Sequence, residues 1–298
     1  HVGGVFGTLN SLQSQIKMHS PDIVSVVWEG KGSSERRRRI LKEYKEGRKF
    51  RGLNRQFEYS QEDEKESFAR QLQLLKGCLD TLPLYQPAVQ YLEADDQIAY
   101  SCRQLFSKDY EKVIVSTDRD YFQLVDEYTQ IYRPVKTKEN PKGETINIGW
   151  MMDKEKVYPV NYALLKSIVG DKSDNIKGIS GVGEATVKKD FPILNFGVVT
   201  LENLLEYAED RVAEKKTQYK KYIENSGLIA RNYTLVQLLD IDVSLQSIQA
   251  LENCYENKKT KFNSYKLRIN LLDENISPNN IDSWVSVFNS VLHEPITF

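Results

Sequence analysis

Short apolar blocks of two kinds alternate through the first half of the chain. Val5, Leu9, Leu12 and Ile16 recur at helical spacing, so residues 2–19 are expected to form a helix that stops before Ser20-Pro21. Residues 22–28 (DIVSVVW) are too short and too continuously apolar for an amphipathic helix and fit a buried strand. Residues 34–50 are basic and helix-competent, and residues 50–59 form a polar break dotted with aromatics. A long amphipathic helix is expected over 62–82, a strand over 88–92, a helix over 94–106 and a strand over 112–116. A short helix at 119–125 and a strand at 129–132 follow, then a hairpin or loop over 137–148 with Pro141-Lys142-Gly143 as turn chemistry. From Tyr158 the pattern is helical, with Pro159 suited to a first turn and 160–169 as the first long segment.

Strands alternating with helices predict an α/β fold with a mainly parallel central sheet flanked by helices. A soft boundary near residue 157 divides an α/β core (1–157) from a helical region (158–298). In open parallel sheets, sites gather beyond the carboxyl ends of the strands. Glu29 follows 22–28, Glu93 follows 88–92 and Asp118 follows 112–116, so three acidic motifs are expected at one edge.

Those motifs hold eight acids: Glu29 in WEG, Glu93, Asp95 and Asp96 in LEADD, Asp118 and Asp120 in STDRD, and Asp171 and Asp174 in GDKSDN. Carboxylates gathered at buried element ends repel one another unless cations join them. Oxygen ligands in bulk point to Mg²⁺ or Mn²⁺ rather than zinc. Each motif also has a plainer reading. The acids of LEADD suit a helix N-terminus. In STDRD an Asp is a good N-cap, and Asp120 could cap while Asp118 ligates. GDKSDN could be an ordinary helix-ending loop with Gly170 as cap.

The continuation of GDKSDN is more specific. Gly178, Gly181 and Gly183 bracket apolar residues, with a helix expected from about Glu184, which matches a helix–hairpin–helix unit at about 170–192. Its backbone N–H groups, with Lys177, Lys188 and Lys189, suit a phosphate backbone without base readout. The alternative is a helix–turn–helix packing element.

Composition sharpens this picture. The 298 residues carry a net charge of −1, yet from Lys31 to Arg55 there are eleven Lys or Arg against three Glu. Such a run is commonly a solvated helix face. Here Arg36, Arg37, Arg38 and Arg39, then Tyr44, Lys45 and Arg48, are followed by Phe50, Phe57 and Tyr59. Cations interleaved with aromatics suit phosphates and unstacked bases. The three cysteines are scattered in no zinc or disulfide spacing, which points to a reducing compartment. The three histidines, His1, His19 and His293, lie outside the acidic motifs, which argues against His-based catalysis. No apolar run is long enough to span a membrane.

Taken together and in order, WEGKGSSERRRRILKEYKEGR, LEADD, STDRDYFQLV and GDKSDNIKGISGVGEATV resemble the structure-specific 5′-nuclease family. That family includes flap endonucleases, the 5′→3′ exonuclease domain of bacterial DNA polymerase I and stand-alone bacteriophage 5′-exonucleases. The resemblance runs from about residue 2 to about residue 240. It implies a PIN-like fold with a basic helical arch (31–60) and a Mg²⁺-dependent phosphodiesterase acting on DNA 5′ ends, nicks and flaps, with RNA primers as a further substrate. It also implies that Glu93, Asp95, Asp118 and Asp120 are metal ligands with Asp96 in their cluster, and that Asp171 and Asp174 form a more distal group. Lys45 and Arg48 match residues that contact the scissile phosphate, Arg36 another basic position, and Tyr44 a base-stacking one. The glycine hairpin matches a duplex-binding element that holds K⁺.

Two departures accompany the resemblance. The family begins with a strand ending in an Asp in an I-x-D-G-type motif, and no such motif stands ahead of the first helix here. A few tens of residues are expected upstream of His1, or this form lacks that ligand. Glu29 stands where the family usually has Asp; its extra methylene still permits Mg²⁺ binding. These departures keep a second hypothesis in view, a DNA-structure-binding protein with a degraded site. A PIN-like RNase is a third, disfavoured by the hairpin unit. A monomeric, stand-alone, phage-encoded enzyme of the bacterial or infected-host cytoplasm is the expectation.

Overall fold

The computed structural model describes residues 2–47, 61–106, 110–135, 143–256, 262–274 and 277–291. By their contacts they form two compact units: His1–Trp28 with Lys49–Pro87 and Gln249–Phe298, and Glu29–Arg48 with Ala88–Ile248. Residue 157, the expected boundary, falls inside the second unit. Val157 is buried in one core with Met151 on one side and Tyr162 on the other.

The first unit is mostly helical. The helix Gly3–His19 buries Val5, Leu9 and Ile16 on one face, as their spacing requires. It ends at Ser20, whose left-handed backbone (φ 44°) lets its N–H reach the Ile16 carbonyl. Leu75, Leu79, Leu82, Trp284 and Phe288 complete this core. Each large side chain buried there contributes about 1.5–3 kcal/mol. Residues 22–28, expected as a buried strand, form no regular strand and none of them is fully buried; they pair only briefly. Tyr85 donates to the Val24 carbonyl and accepts from Val26, and Trp28 donates to the Pro87 carbonyl. Pro87 has no N–H to continue this parallel ladder, so it stays a single bridge between Ser25 and Tyr85.

In the second unit, β1 (Lys112–Val115) runs parallel to β2 (Thr129–Arg133), and β2 runs antiparallel to β3 (Glu144–Ile146). Ile114, Ile131 and Ile146 point from this small sheet into a core with Phe122, Tyr162, Leu165 and Ile168. The expected mainly parallel sheet is therefore, among the described residues, three strands with one parallel and one antiparallel pair. Residues 88–92 are a turn and not a strand: Tyr91 is left-handed (φ 64°), and the Leu92 N–H returns to the Val89 carbonyl. Gly30 explains the packing of this turn, since a Cβ there would lie 1.7 Å from the Val89 oxygen. The basic helix is short, Glu35–Ile40, and residues 48–60 of the expected arch lie outside the described set.

The helix Tyr162–Val169 runs through the core with six of its eight residues buried. It leads into a two-residue hairpin, β4 (Gly170–Asp171) against β5 (Ile176–Lys177). Gly170 and Gly178 allow this crossing: a Cβ on Gly178 would meet the Val169 oxygen at 2.0 Å. The helix Glu184–Asp190 follows. Among the described residues no helix is long and apolar enough to cross a membrane.

Candidate active site

Four segments carry the acids, three of them through a local cap. Beyond β1, Asp118 caps the short 3-10 helix Arg119–Leu124 by accepting the Asp120 N–H at 2.9 Å. The cap is thus Asp118, with Asp120 in the first turn, opposite to the expected division. Glu93 stands at the N-cap of the helix Ala94–Tyr100, and its N–H donates to Asp96 Oδ2 at 3.3 Å. Glu29 is exposed and accepts the Ala94 N–H at 3.3 Å, which puts it at the same positive helix end. Asp171 caps the turn Lys172–Asp174, accepting the Ser173 N–H at 2.7 Å and its hydroxyl at 2.6 Å.

One group of carboxylates is locked by arginine. Arg37 is 3% exposed and Glu93 and Asp96 are each 1% exposed. Arg37 donates to both Asp96 oxygens at 2.7 and 2.9 Å, to Glu93 Oε2 at 2.9 Å and, through Nε, to the Leu235 carbonyl at 2.8 Å. Arg36 adds a 2.8 Å bond to Asp96. Burial alone would raise the Asp96 carboxyl, but the two guanidinium groups outweigh it and hold it low. Glu93 Oε2 also accepts the Tyr44 hydroxyl at 3.1 Å and faces Lys45 Nζ at 2.9 Å. Arg37, expected on a DNA surface, is thus an interior ion-pair centre. Tyr44, expected to stack on bases, has its ring buried, and Asp96 is engaged by two arginines.

A second group faces lysine. Lys166 Nζ lies 2.7 Å from Asp120 Oδ1 and donates to Asp171 Oδ2. Burial pushes the Asp120 carboxyl up, with Lys166 opposing and Asp118 adding repulsion. Asp171 sits at about 2, because Lys166 and the Ser173 donors overcome its burial. Asp95 accepts the Tyr121 hydroxyl. Its carboxyl is pushed up to about 6, chiefly by burial, with the Asp118 and Asp120 charges reinforcing it against Tyr121 and Lys45.

Glu93, Asp95, Asp120, Asp171 and Asp174 line one pocket with Arg37 and Tyr44. Among the described residues no three His, Cys, Asp or Glu side chains stand as a ready metal cage. The reason is visible in the bonds above: Lys45 and Arg37 meet Glu93, and Lys166 bridges Asp120 and Asp171. The donor set nonetheless fits a hard divalent cation. It consists of carboxylates, and Glu93 Oε1 is buried without a hydrogen-bond partner.

Lys45 is anchored at this pocket twice. Its backbone is left-handed (φ 55°) and donates to the Asp174 carbonyl at 3.1 Å, while its ammonium meets Glu93. Arg38 and Arg39 are exposed; Arg48 lies outside the described residues. Lys177, Gly181, Gly183 and Lys189 are exposed around the hairpin, and Gly178 is half-buried. Lys188 is engaged by Glu155 at 2.8 Å.

Sequence reasoning missed Lys166 and Tyr121. A signal for Lys166 was present, as the single charge in the otherwise apolar YALLKSIV helix. Tyr121 directly follows STDRD, but nothing in its spacing marks it.

A small mixed sheet flanked by helices, with an acidic cluster gathered near the end of its first strand, defines an α/β protein with a carboxylate-rich site. Residues 1–158 match the family described as "5′-3′ exonuclease, N-terminal resolvase-like domain", and the chain belongs to that family. It is 32% identical over 208 residues to the thermostable DNA polymerase I of Thermus thermophilus, covering 70% of this chain and 22% of that protein. It is 29% identical over 231 residues to a 5′-3′ exonuclease of Halalkalibacterium halodurans, covering 74% of this chain and 67% of that one. The chain therefore spans about a fifth of the polymerase relatives it matches. In fold it resembles a bacteriophage T5 flap endonuclease solved with DNA and metal ions, with TM-score 0.60 and 18% identity over 96% of this chain and 91% of that one.

Proposed function

We propose that this chain is a divalent-metal-dependent, structure-specific 5′-nuclease that hydrolyses DNA phosphodiester bonds at free 5′ ends, nicks and flaps. The observation that carries this reading is the convergence of Glu93, Asp95, Asp120, Asp171 and Asp174, from three distant segments, on one pocket with Lys45 at its Glu93. Glu93, Asp95, Asp118, Asp120, Asp171 and Asp174 would hold two Mg²⁺ or Mn²⁺ ions, with Glu29 at the edge. Ions of this class, when bound, supply an activated water and stabilise charge on the leaving 3′ oxygen.

The chain's own residues do the rest. Lys45 and Arg36, with Arg48, offset the negative charge of the scissile phosphate, a preorganised electrostatic role. Arg37 fixes the orientation of Glu93 through a buried fork. The exposed Arg38 and Arg39 attract the single-stranded 5′ end. Gly178, Gly181 and Gly183, with Lys177 and Lys189, form a helix–hairpin–helix grip on adjacent duplex, where K⁺ would bind. This fixes the distance from junction to cut. The products are a 5′-phosphate and a 3′-hydroxyl. The setting is DNA replication or repair, including removal of RNA primers, by a monomer in a bacterial or phage-infected cytoplasm.

The test is a competition in Mg²⁺ among a 5′-flap duplex, the same duplex without a flap, and a single-stranded RNA. Cutting of the flap near its junction, leaving 5′-phosphate, is expected. Preferential cutting of the RNA would replace this reading with that of a PIN-like RNase.

A further inference from the structure

Lys166 is the only charged residue on the helix Tyr162–Val169, whose neighbours Ala163, Leu164, Leu165, Ser167 and Ile168 are buried. Its side chain is 15% exposed and ends between two carboxylates, 2.7 Å from Asp120 and hydrogen-bonded to Asp171. Asp120 comes from the turn after β1 and Asp171 from β4, so the ammonium ties these two elements together. Two carboxylates held this close without a cation between them would repel each other.

The choice of lysine matters. Glu93 and Asp96 are joined by a planar guanidinium making parallel bonds, which cannot leave without abandoning several partners at once. An ammonium is a compact point charge on a flexible four-carbon stem and can swing away intact. We infer that Lys166 is a resident counter-cation, holding Asp120 and Asp171 together in the metal-free protein and yielding to a divalent ion that these carboxylates take up. This rests on the proposed nuclease reading for the identity of the incoming ion. It makes Lys166 a positioning residue that also weakens cation binding by competing for the same oxygens, so that cation uptake is linked to release of the lysine.

The test uses the 298-residue chain and its Lys166→Met variant, with Mn²⁺ binding followed by calorimetry and thermal melting followed in chelator and in Mn²⁺. The variant is expected to melt below the unaltered chain in chelator, to recover in Mn²⁺, and to bind Mn²⁺ about tenfold more tightly. Equal loss of stability with and without Mn²⁺, at unchanged affinity, would make Lys166 a plain structural strut and overturn the inference. If the variant does not fold, Mg²⁺ titration of the unaltered chain with ¹⁵N-labelled lysine decides the matter. The Lys166 ammonium signal should change environment as Mg²⁺ saturates, and a signal that stays constant overturns the inference. Flap cutting with a constant Lys166 signal breaks this inference alone. Tight Mg²⁺ binding with Lys166 release but no cutting of any nucleic acid breaks the nuclease reading alone.

Discussion

The Glu93–Asp96 group and the Asp120–Asp171 pair lie around one pocket, and both are met by cations of the chain itself. They differ in how. Arg37 spans Glu93 and Asp96 from a site that is nearly closed to water, with a bidentate fork and a further bond to the Leu235 carbonyl. Lys166 reaches Asp120 and Asp171 with a single ammonium from a less enclosed position. The first arrangement builds architecture: it fixes the start of the helix Ala94–Tyr100 and hence Asp95. The second neutralises charge in a form that can be exchanged. Asp95 and Asp118 differ from both: Asp95 accepts the Tyr121 hydroxyl and Asp118 the Asp120 N–H, both neutral donors, and a divalent ion would answer their charge.

The largest expected effect falls on Asp118. Asp118→Asn keeps a side-chain oxygen to cap the 3-10 helix but removes the charge, so flap cutting should fall about a thousandfold while flap affinity changes little. Retained cutting would remove Asp118 from the ion-binding group. At the locked group the effect should appear in stability. Arg37→Met removes the buried fork and leaves Arg36 on Asp96 and Lys45 on Glu93 as the remaining cations; it should cost about 3 kcal/mol in urea unfolding, and a loss below about 1 kcal/mol would mean that the ion pair is no lock.

Asp95 sharpens the contrast through pH. Its carboxyl is raised to about 6 in the folded chain, against about 4 when unfolded. The folded state then binds more protons in that window, so this group lowers stability as pH rises from about 4 to about 6, and the deficit persists above. Asp95→Asn should therefore stabilise the metal-free chain at pH 7 by about 1–2 kcal/mol and flatten the pH 4–6 slope, while abolishing cutting. An unchanged slope would place the proton elsewhere. The smallest effect concerns the hairpin. No atom lies within 4 Å of a Cβ at Gly183, so Gly183→Val should fold normally. It should weaken duplex binding about three- to tenfold by crowding the N–H groups a phosphate would approach. Unchanged affinity would count against the grip.

Much of this site was legible because its acids stand in short local motifs at element ends. LEADD reads as a charged helix start and STDRD as a cap; Glu93 and Asp118 do stand at helix N-caps, although the cap in STDRD is Asp118 and not Asp120. The partnership around Arg37 was not legible. Arg36, Arg37, Arg38 and Arg39 span one helical turn, and only the rotation of that short helix decides which one turns inward. The strand expected over 88–92 failed for a related reason. Its apolar content suits a strand, but Gly30 lets the chain cross so closely over Val89 that a turn forms, with Tyr91 left-handed. Pro87 interrupts the parallel pairing just before it. The helix around Lys166 was recognised from its apolar run, yet the carboxylates that receive its one charge come from β4 and the turn after β1. That meeting is tertiary.

The most direct measurement is a Mg²⁺ titration of 5′-flap cutting by this chain, with flap binding recorded in the same samples. Cutting that is absent in chelator and rises with Mg²⁺ to completion is the expected result. Tight flap binding with no cutting at any Mg²⁺ concentration would contradict it and leave a protein that recognises DNA structure without hydrolysing it.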